Sequence, residues 1–269
     1  MDNEVKNTSV ISIESAITAA CKLPYCKIDR VDFLTKQLKG KVSDEQLANA
    51  LENGTVNAEI PIVILDKIAN GAIKLETSKA TALSTAAGIP GGVAMIATVP
   101  ADLAQFYAHV FRIAQKLAYI YGYKEINLDD ATHNIIMIFL GVMSGVSAAT
   151  SALAKLAANN AARIGARVAA KPLSKYAIYN LSKKILGWIG IKLTKVGVGK
   201  AVSKAVPVVG GVVSGGITVA TFLPMSKKLR KELQIFASMP PEKLLEASVE
   251  ADIELADYEV EPSGYVDNA

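Results

Sequence analysis

The chain has few of the residues that most redox, metal and catalytic sites require. Its 269 residues include two cysteines, two histidines and one tryptophan. Cys21 and Cys26 lie in CKLPYC, which is not a CxxC redox motif, so we predict that both are reduced thiols. His109 and His133 have no partner at a recognised metal-ligand spacing. We therefore predict packing or capping roles for the histidines, no metal site and no cofactor.

Motifs of common nucleotide-binding and hydrolytic sites are also absent. The GxSxG pentapeptide of a nucleophile elbow does not occur. The sequence GVGKA, residues 197–201, lacks both the first glycine and the hydroxyl residue of a P-loop. Val202 stands where GxGxxG would require its third glycine. The sequence thus predicts no catalytic residues.

Acidic residues are missing from a long part of the chain. The 101 residues between Asp130 and Glu232 carry fifteen bases and no acid, whereas nine acids and one base follow from Glu242 onward. A stretch of one sign favours contact with lipid headgroups, nucleic acid or the protein's own acidic tail, and the alternative is a solvated lysine-rich face. Nucleic acid is disfavoured because aromatic residues are not interleaved with the bases.

Within residues 155–204, bases alternate with small apolar residues. This pattern suits an anionic bilayer surface, where lysine stems lie along the interface and apolar side chains insert. We therefore predict that an anionic membrane surface is the partner. The predicted contact residues are Arg163, Arg167, Lys171, Lys175, Lys183, Lys184, Trp188, Lys192 and Lys195.

Three segments carry no charge and are long enough to span a membrane: 80–101, 131–154 and 205–226. Glycine and proline in the first segment predict two short helical pieces around a turn. The second and third contain GxxxG at 141–145 and 211–215, which permits close helix approach. Insertion, peripheral binding and a fully soluble state all remain open at this point.

Helical periodicity predicts an all-α fold. Helices are expected over 9–22, 29–39, 43–54, 61–76 and 101–121, with Asp29 and Ser43 as N-caps and Val31, Leu34 and Leu38 on one face. We predict a compact multi-helix bundle with Gly-rich helical hairpins. Residues 1–240 would form the helical domain, and 241–269 an acidic tail that begins as a helix and is partly disordered.

Polar residues in the helix over 101–121 follow a single line. Asp102, Gln105, His109, Arg112 and Lys116 are spaced three or four residues apart and form one stripe on an otherwise apolar helix. We take this polar stripe as the candidate functional surface. An enzyme could use it only if the fold places several of these groups in one pocket. Otherwise we expect an N-cap at Asp102 and an interhelix hydrogen bond at Arg112.

Four segments of the chain form a recognisable order: DRVDFLTKQL, ILDKIA, GIPGGVAMIATVPADLAQFYAHVFRIAQKLAYIYG and VPVVGGVVSGGITVATF. In this order they resemble the EcsC family of bacterial proteins, and the resemblance is strongest in the third segment. It implies an α-helical domain, bacterial origin and a cytoplasmic or membrane-associated setting, but no reaction. The matching residues are Gly88, Pro90, Gly91, Pro100, Asp102, Arg112, Gln115, Tyr121 and Gly122.

These observations favour a non-enzymatic, membrane-associated protein that assists transport or secretion. The N-terminus lacks the pattern of a secretory signal. We expect a cytoplasmic protein that is peripheral to, or inserted in, the cytoplasmic membrane, with a membrane protein as a further candidate partner. The alternatives are a membrane-permeabilising toxin or defence effector, and an enzyme that uses the polar stripe.

Overall fold

A computed structural model describes residues 13–88, 94–128, 135–162, 171–200 and 207–262. At 86–88, 94–102, 161–162, 190–200, 207–214 and 217 it describes the backbone alone. Throughout these ranges the regular elements are helical, so the predicted all-α bundle is confirmed. The helices are residues 13–22 (α1), Arg30–Leu38 (α2), Asp44–Asn53 (α3), Ile62–Gly88 (α4), Ala94–Ile120 (α5), Ile135–Ser144 (α6), Ser147–Ala162 (α7), Lys175–Lys200 (α8), Pro207–Ala237 (α9) and Pro241–Leu255 (α10), followed by a 3₁₀ turn at Ala256–Tyr258.

The ends of α2 and α3 follow from local capping. The Asp29 carboxylate accepts from the backbone N–H of Asp32 at 2.7 Å, and Ser43 and Gln46 form a reciprocal capping box. Gly54 ends α3 with φ of 98°, and a Cβ there would lie 2.6 Å from the carbonyl oxygen of Gly122. Only glycine suits both conditions. The two predicted N-caps, Asp29 and Ser43, are confirmed, and the helix predicted over 43–54 ends at Gly54.

The inward face of α2 differs from the prediction at one position. Leu34 and Leu38 are buried, but Val31 is 54% exposed and Arg30 is buried in its place. The Arg30 guanidinium donates to the carbonyls of Ala50, Leu51 and Tyr123 at 2.9, 2.6 and 3.2 Å. An arginine can be buried here because its fork of donors satisfies carbonyls at the end of α3 and after α5.

Helices α4 and α5 are longer than predicted and lie antiparallel. Each has 27 residues. Because α4 ends at Gly88 and α5 begins at Ala94, the first uncharged segment is divided into two helical pieces as predicted, but each piece is the end of a long helix. Only the predicted break at Pro100 is wrong, since Pro100 lies inside α5. Helix α4 packs along both α5 and α9. Residues 89–93, which would make the predicted turn, lie outside the described residues.

The second uncharged segment supplies the centre of the molecule. Residues 136–143 of α6 are all buried, as expected of a helix that is apolar all round. A Cβ at Gly141 would lie 2.6 Å from both Ala149 Cβ and Ile185 Cδ1, so close approach is confirmed there. Gly145, in contrast, has φ of 90° and turns the chain between α6 and α7.

In the third uncharged segment, Gly215 lets α9 approach α4, where a Cβ would collide with the Thr85 hydroxyl. The neighbours that a Cβ at Gly211 would meet lie outside the described features. Within the described residues, no helix combines the length and the apolar content needed to cross a membrane.

The acidic C-terminal segment begins with α10, which packs against α7. Leu244, Ala251 and Leu255 of α10 are buried and belong to the same apolar core as the preceding helices. Residues 263–269, where the sequence predicts part of the disordered tail, lie outside the described residues.

Candidate functional site

The polar stripe meets a buried carboxylate on the neighbouring helix. Glu76 of α4 is fully buried and faces three basic residues of α5. His109 Nδ1 lies 2.9 Å from one carboxylate oxygen. Arg112 Nε lies 3.4 Å from the other, and the Lys116 ammonium donates to that same oxygen. We call these four residues the Glu76 cluster.

The electrostatics of the cluster favour an ionised carboxylate. Burial on its own raises the pKa of Glu76. The hydrogen bonds from His109 and Lys116 and the charges of Lys116 and Arg112 outweigh that effect and lower the pKa from 4.5 to about 2. Burial also lowers the pKa of Lys116, against the opposing effect of Glu76. The charged groups are therefore stable here only because they face one another.

Arg112 also binds the segment between α1 and α2. Its guanidinium donates to the Tyr25 carbonyl and lies 6.0 Å from the centre of the Tyr25 ring. One turn along α5, Gln115 accepts from the Ile28 N–H and donates to the Cys26 carbonyl, both at 3.0 Å. These contacts secure the N-terminal segment to α5 through side chains. The predicted interhelix hydrogen bond of Arg112 is its bond to Glu76 of α4.

The remaining stripe residues do not join the cluster within the described residues. Gln105 is half-buried. The predicted N-cap at Asp102 is wrong, because an N-cap stands just before a helix and α5 already begins at Ala94, so Asp102 lies inside it. His109 is a hydrogen-bonded packing residue, as expected. The enzyme hypothesis required several stripe residues in one pocket, whereas helix packing pairs them with Glu76.

Glu76 was missed at the sequence level although a signal was present. The buried positions of α4 recur every three or four residues, and Glu76 falls on that series after Ala72 and Ile73. An acid on an apolar face requires a buried partner. The basic residues of the polar stripe on α5 were the partners to expect, because they lie in a line on one face of a different helix.

The predicted membrane-contact residues are divided by the structure. Lys171, Lys175, Lys183 and Lys184 are exposed, whereas Arg163 and Arg167 lie outside the described residues and the side chains of Lys192 and Lys195 are not described. Lys175 lies 5.6 Å from the ring centre of Tyr176, and Lys183 lies 4.4 Å from that of Tyr179. Lys175, Tyr176, Tyr179 and Lys183 lie on the solvent side of α8, and we call them the lysine–tyrosine face.

The acidic C-terminal segment takes up part of the basic charge. Lys155 of α7 is fully buried, is paired with Asp252, and lies 3.7 Å from Glu259. On α8, Asn180 donates to the carbonyls of Tyr258 and Val260 at 3.0 and 2.9 Å. The protein's own acidic tail, one of the three anionic surfaces considered from sequence, therefore contacts the basic region at Lys155.

Trp188 lies on the opposite side of α8 from the lysine–tyrosine face. It is half-buried and lines a cavity of about 520 Å³ between α5, α6, α8 and α9. The walls are mainly apolar and include Phe106, Leu140, Met143 and Met225. Sequence reasoning missed this cavity because its walls come from four separate helices.

No protein-family model, curated protein or solved structure matches this chain. The resemblance to the EcsC family therefore stays a prediction. Four of the residues that carry it have structural contacts: Arg112 and Gln115 bind the N-terminal segment, the Tyr121 hydroxyl donates to Asp66 at 2.6 Å, and Gly122 adopts φ of 93° beside Val56.

Proposed function

We propose that the protein is a non-enzymatic, peripheral membrane protein that binds an anionic bilayer through the lysine–tyrosine face of α8. Its setting would be the cytoplasmic side of a bacterial membrane, in an accessory role to transport or secretion, as the resemblance to the EcsC family implies. A membrane protein would be the further partner.

The pairing of lysine with tyrosine on the exposed side of α8 carries this proposal. Lys175 and Lys183 each lie over a tyrosine ring, and both tyrosines are half-exposed. Tyrosine rings favour the headgroup level of a bilayer, and lysine stems lie along apolar surface while their ammonium groups reach anionic headgroups. Each lysine close to an anionic membrane contributes about 1 kcal/mol to binding.

Charge reversal on this face tests the proposal. We expect the wild type to float with phosphatidylglycerol vesicles at low salt and to dissociate at high salt. The variant K175E/K183E should bind at least about tenfold more weakly, because two attractive contacts become repulsive. The matched control is K67E/K74E, which makes the same charge change at exposed positions on α4.

Two outcomes would contradict the proposal. One is a wild type that stays unbound with anionic vesicles at low salt. The other is an equal loss of binding in both variants, which would indicate a net-charge effect without a defined surface. Release of dye trapped in the vesicles would instead favour the membrane-permeabilising alternative.

A further inference from the structure

The cavity between α5, α6, α8 and α9 has the size and lining of a small-ligand site. Its volume of about 520 Å³ falls within the range of known small-molecule pockets, roughly 300–1,000 Å³. Phe106, Leu140, Ile189 and Met225 present apolar surface to it. An interior of this kind accepts a hydrocarbon group and offers little to a strongly polar ligand.

One side of the cavity is polar, and α9 supplies it. Thr221, Pro224, Met225 and Lys228 all line the cavity, and their spacing places them along one face of that helix. Thr221, Pro224 and Lys228 are exposed, so this side is open to solvent. The lining therefore changes from apolar in the interior to hydroxyl and ammonium groups at the opening.

Lys228 is placed to hold a negative charge at the opening. Its Nζ lies beside the turn after α6, where it would be 3.0 Å from a Cβ built at Gly145. In the part of the chain that the structure describes, no carboxylate is paired with this ammonium. By contrast, Lys116 and Lys155 both have acidic partners. An ammonium that no described carboxylate pairs, at the opening of an apolar cavity, is complementary to a ligand that has one anionic end.

We propose that this cavity binds a single-chain carboxylate of the fatty-acid class. The hydrocarbon chain occupies the space between Phe106, Leu140 and Trp188, and the carboxylate pairs with Lys228 at the opening. This site shares no residue with the lysine–tyrosine face of α8, so it stands or fails separately from membrane binding.

The protein contains its own reporter for this site, because Trp188 is the only tryptophan in the chain and lines the cavity. Dodecanoate, added below its micelle-forming concentration, should change the fluorescence of Trp188 in a saturable way. Dodecanol has the same chain without the charge and should bind more weakly, whereas butyrate, which has the charge without the chain, should not bind.

Substitution at the opening separates the charge from the cavity. K228M keeps the length of the side chain and removes its charge, and it should weaken dodecanoate binding by about tenfold or more, since one charge-assisted contact is lost. Dodecanol binding should stay within about twofold in this variant. The matched control is K227M, which removes the neighbouring exposed lysine outside the cavity lining and should bind dodecanoate as the wild type does.

A substitution that fills the cavity provides a second test of the proposal. T221F places an aromatic ring on the α9 wall and should reduce the binding of both dodecanoate and dodecanol, while circular dichroism shows an unchanged helical content. The proposal is overturned if dodecanoate gives no saturable change in fluorescence, if K228M binds it as tightly as K227M, or if T221F leaves binding unchanged.

Discussion

Glu76 shows what a single buried charge does in this protein. One fully buried carboxylate receives contacts from His109, Arg112 and Lys116, so basic groups outnumber acidic ones in the cluster. A buried ion pair is weakly stabilising compared with well-packed apolar side chains. Loss of the single acid is different, because the basic groups would stay buried without their partner.

We expect Glu76→Gln to lower the free energy of unfolding by about 3–5 kcal/mol, as for other buried pairs from which one partner is removed. Glutamine keeps the shape of the side chain, so the change reports the lost charge. Urea unfolding at neutral pH measures it.

The control at this scale is Asp32→Asn, which removes an exposed acid that pairs with Lys36 at 2.8 Å. Surface pairs of this spacing contribute about 0.3–0.5 kcal/mol. A Glu76→Gln variant as stable as Asp32→Asn would show that the Glu76 cluster does not stabilise the fold.

At the scale of elements, α10 packs through apolar side chains and through one ion pair in which the lysine is buried and the aspartate is partly exposed. Leu244, Ala251 and Leu255 are buried, and Lys155 of α7 pairs with Asp252. The ion pair thus joins the acidic segment to the basic stretch, and its lysine is fully buried. Docking of α10 should therefore depend on both partners together.

Asp252→Asn leaves the Lys155 ammonium buried with Glu259 as its remaining acidic neighbour, and should lower the free energy of unfolding by about 1–3 kcal/mol. The double variant K155M/D252N should recover part of that loss, because no buried charge then lacks its partner. Urea unfolding of K155M, D252N, the double variant and the wild type measures the coupling energy.

K171M is the control for the Lys155–Asp252 variants. Lys171 is exposed, so K171M should change the free energy of unfolding by no more than about 0.5 kcal/mol. If the effects of K155M and D252N simply add, the two residues are not energetically coupled, and their ion pair does not hold α10 in place.

For the whole molecule, the Glu76 cluster predicts how stability depends on pH. The pKa of Glu76 is lowered from 4.5 to about 2 in the folded protein. Folding therefore favours the ionised carboxylate, and its contribution is fully present above pH 4.5 and is lost as the pH falls towards 2.

We expect the stability difference between the wild type and Glu76→Gln to be constant from neutral pH down to about 5 and then to narrow towards pH 2. Urea midpoints of both proteins across this range test it. A difference that stays constant down to pH 2 would show that Glu76 titrates as it does in an unfolded chain.

Much of the local structure could be predicted from residues a few positions apart. Asp29, Ser43 and Gly54 mark helix ends because capping requires only the residues of one turn. The extents of α4 and α5 were predicted less well, because α4 continues beyond 76 to Gly88 and α5 begins before 101, at Ala94. Packing of α4 along α5 and α9 stabilises these added turns.

The candidate sites show the same division. The stripe containing His109, Arg112 and Lys116 follows from a spacing of three and four residues and was visible in the sequence. Its partner Glu76 lies 33 to 40 positions away, and no local rule relates the two. The cavity has walls from four helices, so only their packing creates it.

The sequence by itself determined the helical class, the caps of α2 and α3, the stripe and the separation of basic and acidic regions, because each depends on composition or on spacing within one helix. Tertiary structure decided which helix became the buried centre, which acid met the stripe, and which lysines stayed exposed. Burial is shared among elements distant in the chain, and a charge is stable inside only where another element brings its partner.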